Sequence, residues 1–168
     1  MSGLRRRLVL LRHAKSAYPA GVTDHDRPLA PRGVREAGLA GDWLRANLTA
    51  VDEVLCSTAT RARQTLAHTH IDAAVRYTQR LYGADPATVV DEIHDVGDEV
   101  GTLLVVGHEP AMSAVVIGLA GGHGTDTAAL RDVSSKFPTS GIAVLRVGGS
   151  WRDLGFGGAA LVEFHVPR

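Results

Sequence analysis

Three short apolar runs in this chain end in residues that can handle a phosphoryl group. Leu8 to Leu11 lead into Arg12-His13, Val54-Leu55-Cys56 lead into Ser57-Thr58-Ala59-Thr60-Arg61, and Leu103 to Val106 lead into Gly107-His108-Glu109. Two guanidinium groups and two imidazoles would meet if the three runs lay side by side. Arginine forks match the oxygens of a phosphate, and the amides at a helix start add partial positive charge. An imidazole in such surroundings can serve as nucleophile or as hydrogen-bond donor. The set is suited to phosphoryl chemistry without a metal ion.

The elements needed to bring these residues together alternate along the chain. Residues 7–12 read as a buried strand, and Pro19, Gly21 and Pro28 mark the loop that follows. From Pro31 to Asn47 apolar residues recur at three- and four-residue intervals, which predicts an amphipathic helix. A second strand is expected at Glu53–Ser57, with a helix at 59–69 capped by Ser57-Thr58, and a weaker strand at 75–78. Asp85-Pro86 opens a third helix that should run to about Gly97. Residues 102–106 form the clearest strand, followed by a helix at 111–120 with Pro110 in its first turn. Strands joined by crossover helices imply a parallel sheet covered on both faces. The last two strand-like runs, 141–147 and 160–166, have no helix between them and should be antiparallel or at an edge. The expected architecture is a three-layer α/β/α sandwich with a mixed, mostly parallel sheet, built as one domain over residues 1–168.

Composition narrows the partners. Lys plus Arg and Asp plus Glu balance at 18 each, so no global field favours a nucleic acid or an anionic membrane. A single cysteine allows no internal disulfide and no thiolate-rich metal cluster, which fits a reducing, cytoplasmic setting. The basic start, Arg5-Arg6-Arg7, is followed by only four apolar residues before Arg12, whereas a secretory segment needs about 7 to 15. The longest apolar run, 111–122, is also short of the roughly 18 residues of a membrane span.

Each candidate has a plainer alternative. His13 and His108 could simply terminate strands, and Arg61 could sit on a helix surface, as is expected for Arg63. Glu109 is either a general acid or a carboxylate complementing a helix dipole. Asp24-His25-Asp26 and His68-Thr69-His70 contain metal-ligand types, but i and i+2 positions do not share a helix face, so no metal is expected. Asp24 and Asp26 are expected to shape the loop or approach the substrate. Cys56 has four residues before Arg61 rather than the five of cysteine-dependent phosphatases, and it should be an inert core residue.

The ordered motifs resemble those of the histidine phosphatase superfamily, also called the phosphoglycerate-mutase-like fold. Its Arg-His-Gly is similar to Arg12-His13-Ala14, its Ser-Pro-x-x-Arg-Ala-x-x-Thr to Ser57-Thr58-Ala59-Thr60-Arg61-Ala62-Arg63-Gln64-Thr65, and its Gly-His-x-Pro to Gly107-His108-Glu109-Pro110. The SixA-type phosphohistidine phosphatase branch resembles the chain further at Arg12 to Ser16, Asp26-Arg27-Pro28-Leu29 with Arg32-Gly33, and Phe137-Pro138-Thr139. Ala14, Ala30 and Thr58 depart from the usual glycine, threonine and proline, and none of these changes removes a charged group.

The resemblance implies a two-step reaction in which His13 takes the phosphoryl group and water then releases it. Arg12, Arg61 and His108 would stabilise the transferring group, with Lys15 and Ser16 at the rim of the substrate pocket. The family's carboxylate acid has no clear counterpart: 81–85 offers only Asp85, better placed as a helix cap, and Glu109 is the other candidate. A weak proton donor favours a leaving group that departs readily, such as the imidazole of phosphohistidine or the phosphate of an anhydride. The leading expectation is a cofactor-free, monomeric phosphohistidine phosphatase acting on a protein. Hydrolysis of a small phosphoester or nucleotide anhydride by the same residues stays open, as does a phosphoprotein-binding module without turnover.

Overall fold

A computed structural model describes residues 5–168; residues 1–4, which precede the basic run weighed above as the start of a leader, lie outside it. Strands β1 (Arg6–Arg12), β2 (Glu53–Ser57), β3 (Ala74–Thr78), β4 (Thr102–Gly107), β5 (Ile142–Val147) and β6 (Ala159–His165) form one sheet in the order β3-β2-β4-β1-β5-β6. The four strands from β3 to β1 are mutually parallel, and β5 and β6 run antiparallel to their neighbours. The sheet is therefore mixed and mostly parallel, and the two closing strands pair without an intervening helix.

Alternation along β1 and β4 shows why both faces are covered. Leu8, Leu10, Leu103 and Val105 enter one buried cluster, whereas Val9, Leu11, Leu104 and Val106 enter another. Successive side chains point to opposite faces of a strand, so these all-apolar runs require a layer on each side. Helices α3 (Pro86–His94), α4 (Ala111–Leu119) and α5 (Thr127–Ser135) supply apolar side chains to the first cluster, while α1 (Pro31–Asn47) and α2 (Thr60–Thr69) supply the second. The result is an α/β/α layering. Two glycines set how close α1 comes to its neighbours: a Cβ at Gly41 would strike the Thr69 carbonyl of α2, and one at Gly33 the Lys15 carbonyl. That Lys15 carbonyl also accepts the Ala30 amide at 2.9 Å, so the start of α1 is pinned to the segment after β1.

Three expectations need correction. Ser57 and Thr58 do not cap α2 by side chain; its N-cap is Ala59, and the Ser57 hydroxyl is instead bonded to the Ala59 amide at 3.2 Å and to His108. Helix α3 ends at His94 rather than near Gly97, because the Val96 amide bonds back to the Ile93 carbonyl in a tighter closing turn. Helix α5 was not anticipated. Its signal is local: Asp126 caps it through the Ala129 amide at 3.0 Å, and Val133 is its one buried residue, with Ala129 and Leu130 packed against the same cluster.

Candidate active site

The parallel pairing of β1 and β4 places Arg12 opposite Gly107, and the His13 amide donates to the Gly107 carbonyl at 3.0 Å. His13 and His108 therefore leave adjacent strands at the same level, with ring centroids 5.2 Å apart. On the other side of β4, β2 ends at Ser57 and delivers Arg61 in the first turn of α2. A hydroxyl ties these parts together: Thr65 Oγ1 accepts from the Ala14 amide at 2.9 Å and donates to the Arg61 carbonyl at 2.7 Å. Thr65 is fully buried, so it braces the turn after His13 against the helix that carries Arg61.

Each ring and guanidinium is partly satisfied and partly not. His13 is buried, and its Nδ1 bonds the Ala14 carbonyl at 2.7 Å, which makes Nδ1 the protonated nitrogen and leaves the Nε2 lone pair free. His108 Nε2 pairs with Ser57 Oγ at 2.8 Å. Arg12 Nη1 donates to the Phe137 carbonyl at 2.9 Å, and Arg61 donates to the Asp24 carbonyl at 2.6 Å and its carboxylate at 3.1 Å. Among the described residues, five buried side-chain polar atoms have no partner, and three of them are Arg12 Nε, Arg61 Nε and His108 Nδ1. Buried polar atoms of this kind are costly unless something pairs with them.

Burial, reinforced by the charges of Arg61 and Arg12, holds both imidazoles neutral. His13 is pushed down to about 3 and His108 to about 4. Both values lie below the unfolded histidine value, so the unfolded chain binds more protons as the pH falls. The stability these groups contribute is complete above pH 6.5 and is lost between about pH 6.5 and 3. Acid titration of native protein followed by circular dichroism should show this loss, and His13→Gln should make the slope shallower by about one proton. An unchanged slope would show that His13 is not held neutral.

Two further residues meet at this place. Tyr82 donates its hydroxyl to the Asp24 carboxylate. Tyr82, then Arg61 and Arg27, hold the Asp24 carboxyl well below its usual range, and the same bond raises the Tyr82 phenol. The Tyr82 ring stands edge-on to His108 and to His25, whose Nε2 pairs with Thr58 Oγ1 at 3.0 Å. Asp24 was expected to shape the loop or reach the substrate, and it engages Arg61. Tyr82 was missed, because a search of 81–85 for a carboxylate passes over a phenol.

The remaining candidates separate. Lys15 is exposed and lies with Arg12 on a basic pocket described below. Ser16 does not line the rim: it is buried, and its hydroxyl accepts from Arg27 at 2.8 Å. Asp85 accepts the Thr88 amide at 2.8 Å as the cap of α3, and that bond holds its carboxyl below the usual range, the wrong direction for a proton donor. Glu109 accepts from the Ser113 amide and hydroxyl, both at 2.7 Å, at the start of α4. Cys56 is buried, with its thiol pushed up to about 12 by desolvation. Arg63 is exposed, over the ring of Tyr77. Among the described residues no three His, Cys, Asp or Glu side chains are grouped to hold a metal ion, and no helix is long and apolar enough to cross a membrane.

Comparison with known proteins adds to this geometry. Residues 8–83 match the family model described as "Histidine phosphatase superfamily (branch 1)". An uncharacterized protein of Mycobacterium tuberculosis is 72% identical over 158 residues, covering 94% of this chain and 100% of that one. Two solved structures carry the name putative phosphohistidine phosphatase SixA. The one from Nakamurella multipartitia superposes with a TM-score of 0.90 at 42% identity, covering 99% of both chains. The one from Agrobacterium tumefaciens does so with a TM-score of 0.80 at 32% identity, covering 96% of this chain and 98% of that one.

Proposed function

Since the chain belongs to the histidine phosphatase superfamily, in its SixA-type branch, and is a phosphatase, we propose that it dephosphorylates phosphohistidine in a protein, through a phosphoryl group carried on His13. The observation that supports this reading is the set of unpartnered buried polar atoms, Arg12 Nε, Arg61 Nε and His108 Nδ1, beside a histidine whose Nε2 is free. In the first step His13 Nε2 bonds to phosphorus while the bond from phosphorus to the substrate imidazole breaks, and the departing nitrogen keeps the electron pair as the substrate imidazole takes a proton from water. In the second step water attacks the phosphorus, its proton is released, and the His13 Nε2–phosphorus bond breaks to give phosphate. Arg12, Arg61 and His108 stabilise the charge on the transferring oxygens, the part played by metal ions in other phosphoryl-transfer enzymes.

The carboxylates near the centre support the choice of leaving group. Asp24 is held ionised by Tyr82 and Arg61, Asp85 caps α3, and Glu109 is bonded to Ser113. Asp24 and Asp85 are both held below the usual carboxylate range, the wrong direction for a proton donor at neutral pH, which suits a P–N bond better than an alkoxide ester.

The test is a single-turnover measurement on the native chain in EDTA, with a ³²P-labelled phosphohistidine domain and, separately, p-nitrophenyl phosphate. Label should pass transiently to the chain, and the phosphohistidine domain should turn over faster. Label arriving only from the ester would overturn the substrate class. Tight binding of the phosphohistidine domain without turnover would overturn catalysis.

A further inference from the structure

Arg12 also lines a second pocket, of about 320 Å³, together with Lys15, Arg32, Lys136 and Arg168 and with Pro138 and Thr139. The five cations come from four separate segments: the end of β1 and its following turn, the first turn of α1, the end of α5, and the segment after β6. Little offsets them. Glu36 pairs with Arg32 at 3.1 Å and Arg168 at 3.2 Å, and Glu109 acts on Arg12 at longer range. Among the described residues neither the Lys15 nor the Lys136 ammonium has an acid partner. In a chain whose formal net charge is zero, this is a local concentration of like charge. Such a grouping repels itself and is relieved when anions enter.

The character of the cations indicates what enters. Lys15 and Lys136 are exposed, and the Arg32 and Arg168 side chains are about half exposed at 50% and 42%. Exposed cations at an open rim suit the charge complementarity of a contact between proteins, in which carboxylates are presented on the partner's surface. Arg12 belongs to both places, so a ligand filling the pocket lies next to the phosphoryl group on His13. We infer that this pocket receives acidic side chains flanking the phosphohistidine of the protein substrate. The inference rests on the function proposed above and adds the chemistry by which that substrate is chosen.

Three substrates and one position test it, with a nucleoside diphosphate as a further probe. The substrates are a phosphohistidine domain with Asp or Glu beside its histidine, the same domain with those acids changed to Asn or Gln, and p-nitrophenyl phosphate. Lys136→Glu reverses a charge on the rim and touches none of the groups around His13. It should raise KM for the acidic domain about fivefold to tenfold with kcat unchanged, and flatten the salt dependence of kcat/KM. Lys136→Gln should give a smaller rise in the same direction. Both variants should leave the neutralised domain and the ester within about twofold of native. An equal effect on all three substrates, or on none, overturns the subsite while leaving the phosphohistidine reading intact. If the native chain hydrolyses the ester but neither domain, both that reading and the subsite fail. A KM change for a nucleoside diphosphate, with none for the acidic domain, overturns the protein-surface assignment.

Discussion

Phosphoryl transfer by the His13→Ala chain is expected to fall by at least about 10⁴-fold, with no label trapped on the protein. The size follows from the lack of a substitute. His108 is the other imidazole within reach, its ring centroid 5.2 Å away, but its Nε2 is engaged by Ser57 Oγ and its unpartnered nitrogen is Nδ1. Water attacking phosphorus directly would meet the same arginines, yet without a histidine intermediate the two-step path is lost. His13 is buried and neutral, so its removal relieves a desolvated polar ring and should not unfold the chain; His13→Gln, which keeps more of the volume, separates packing from chemistry. The check is the single-turnover rate and the trapped label. Retention of more than about a tenth of the native rate in both variants would assign the nucleophile elsewhere.

Arg61→Ala carries the second large effect, about 3 kcal/mol of activation energy, or on the order of 10²-fold in kcat. Its guanidinium is held on two sides, by the Asp24 carbonyl and carboxylate, which leaves Nε as the donor without a partner. The effect should fall on kcat rather than KM, because the charge it stabilises is greatest in the transition state. Arg61→Lys keeps the charge and loses the fork, so it should recover only part of the loss. Asp24→Asn acts through the groups that Asp24 holds, Arg61, Tyr82 and Arg27, and should cost less than Arg61→Ala. Stopped-flow rates on the phosphohistidine domain decide this; equal losses in kcat for Asp24→Asn and Arg61→Ala would mean that the carboxylate contributes directly.

The parts of the site visible in the sequence are those attached to regular elements. Arg12-His13 and Gly107-His108 each follow an apolar run, and parallel neighbours deliver their ends to one edge, so strand periodicity was enough to bring the four groups together. What could not be read is held by contacts far apart in the chain. Tyr82 meets Asp24 across 58 positions, and Ser57 meets His108 across 51, and no spacing rule connects such pairs. Ser57 also shows how a local rule is overridden: a good capping residue next to a helix start is drawn to a buried imidazole. Ser16 illustrates the converse, since its neighbours in sequence suggested the rim while Arg27 holds it beneath the surface. Helix α5 was missed because only Val133 of its nine residues is fully buried, so its apolar stripe is short.

The strand bearing Arg12 is hydrogen-bonded along both edges, to β4 on one side and β5 on the other. Fraying begins at termini and exposed edges, and neither can part His13 from His108 without opening the middle of the sheet. Amide exchange in this strand should therefore belong to the slowest class in the molecule, and heat should silence the histidine pair only when the whole sheet melts. The chemistry, in this sense, is as durable as the fold that holds it.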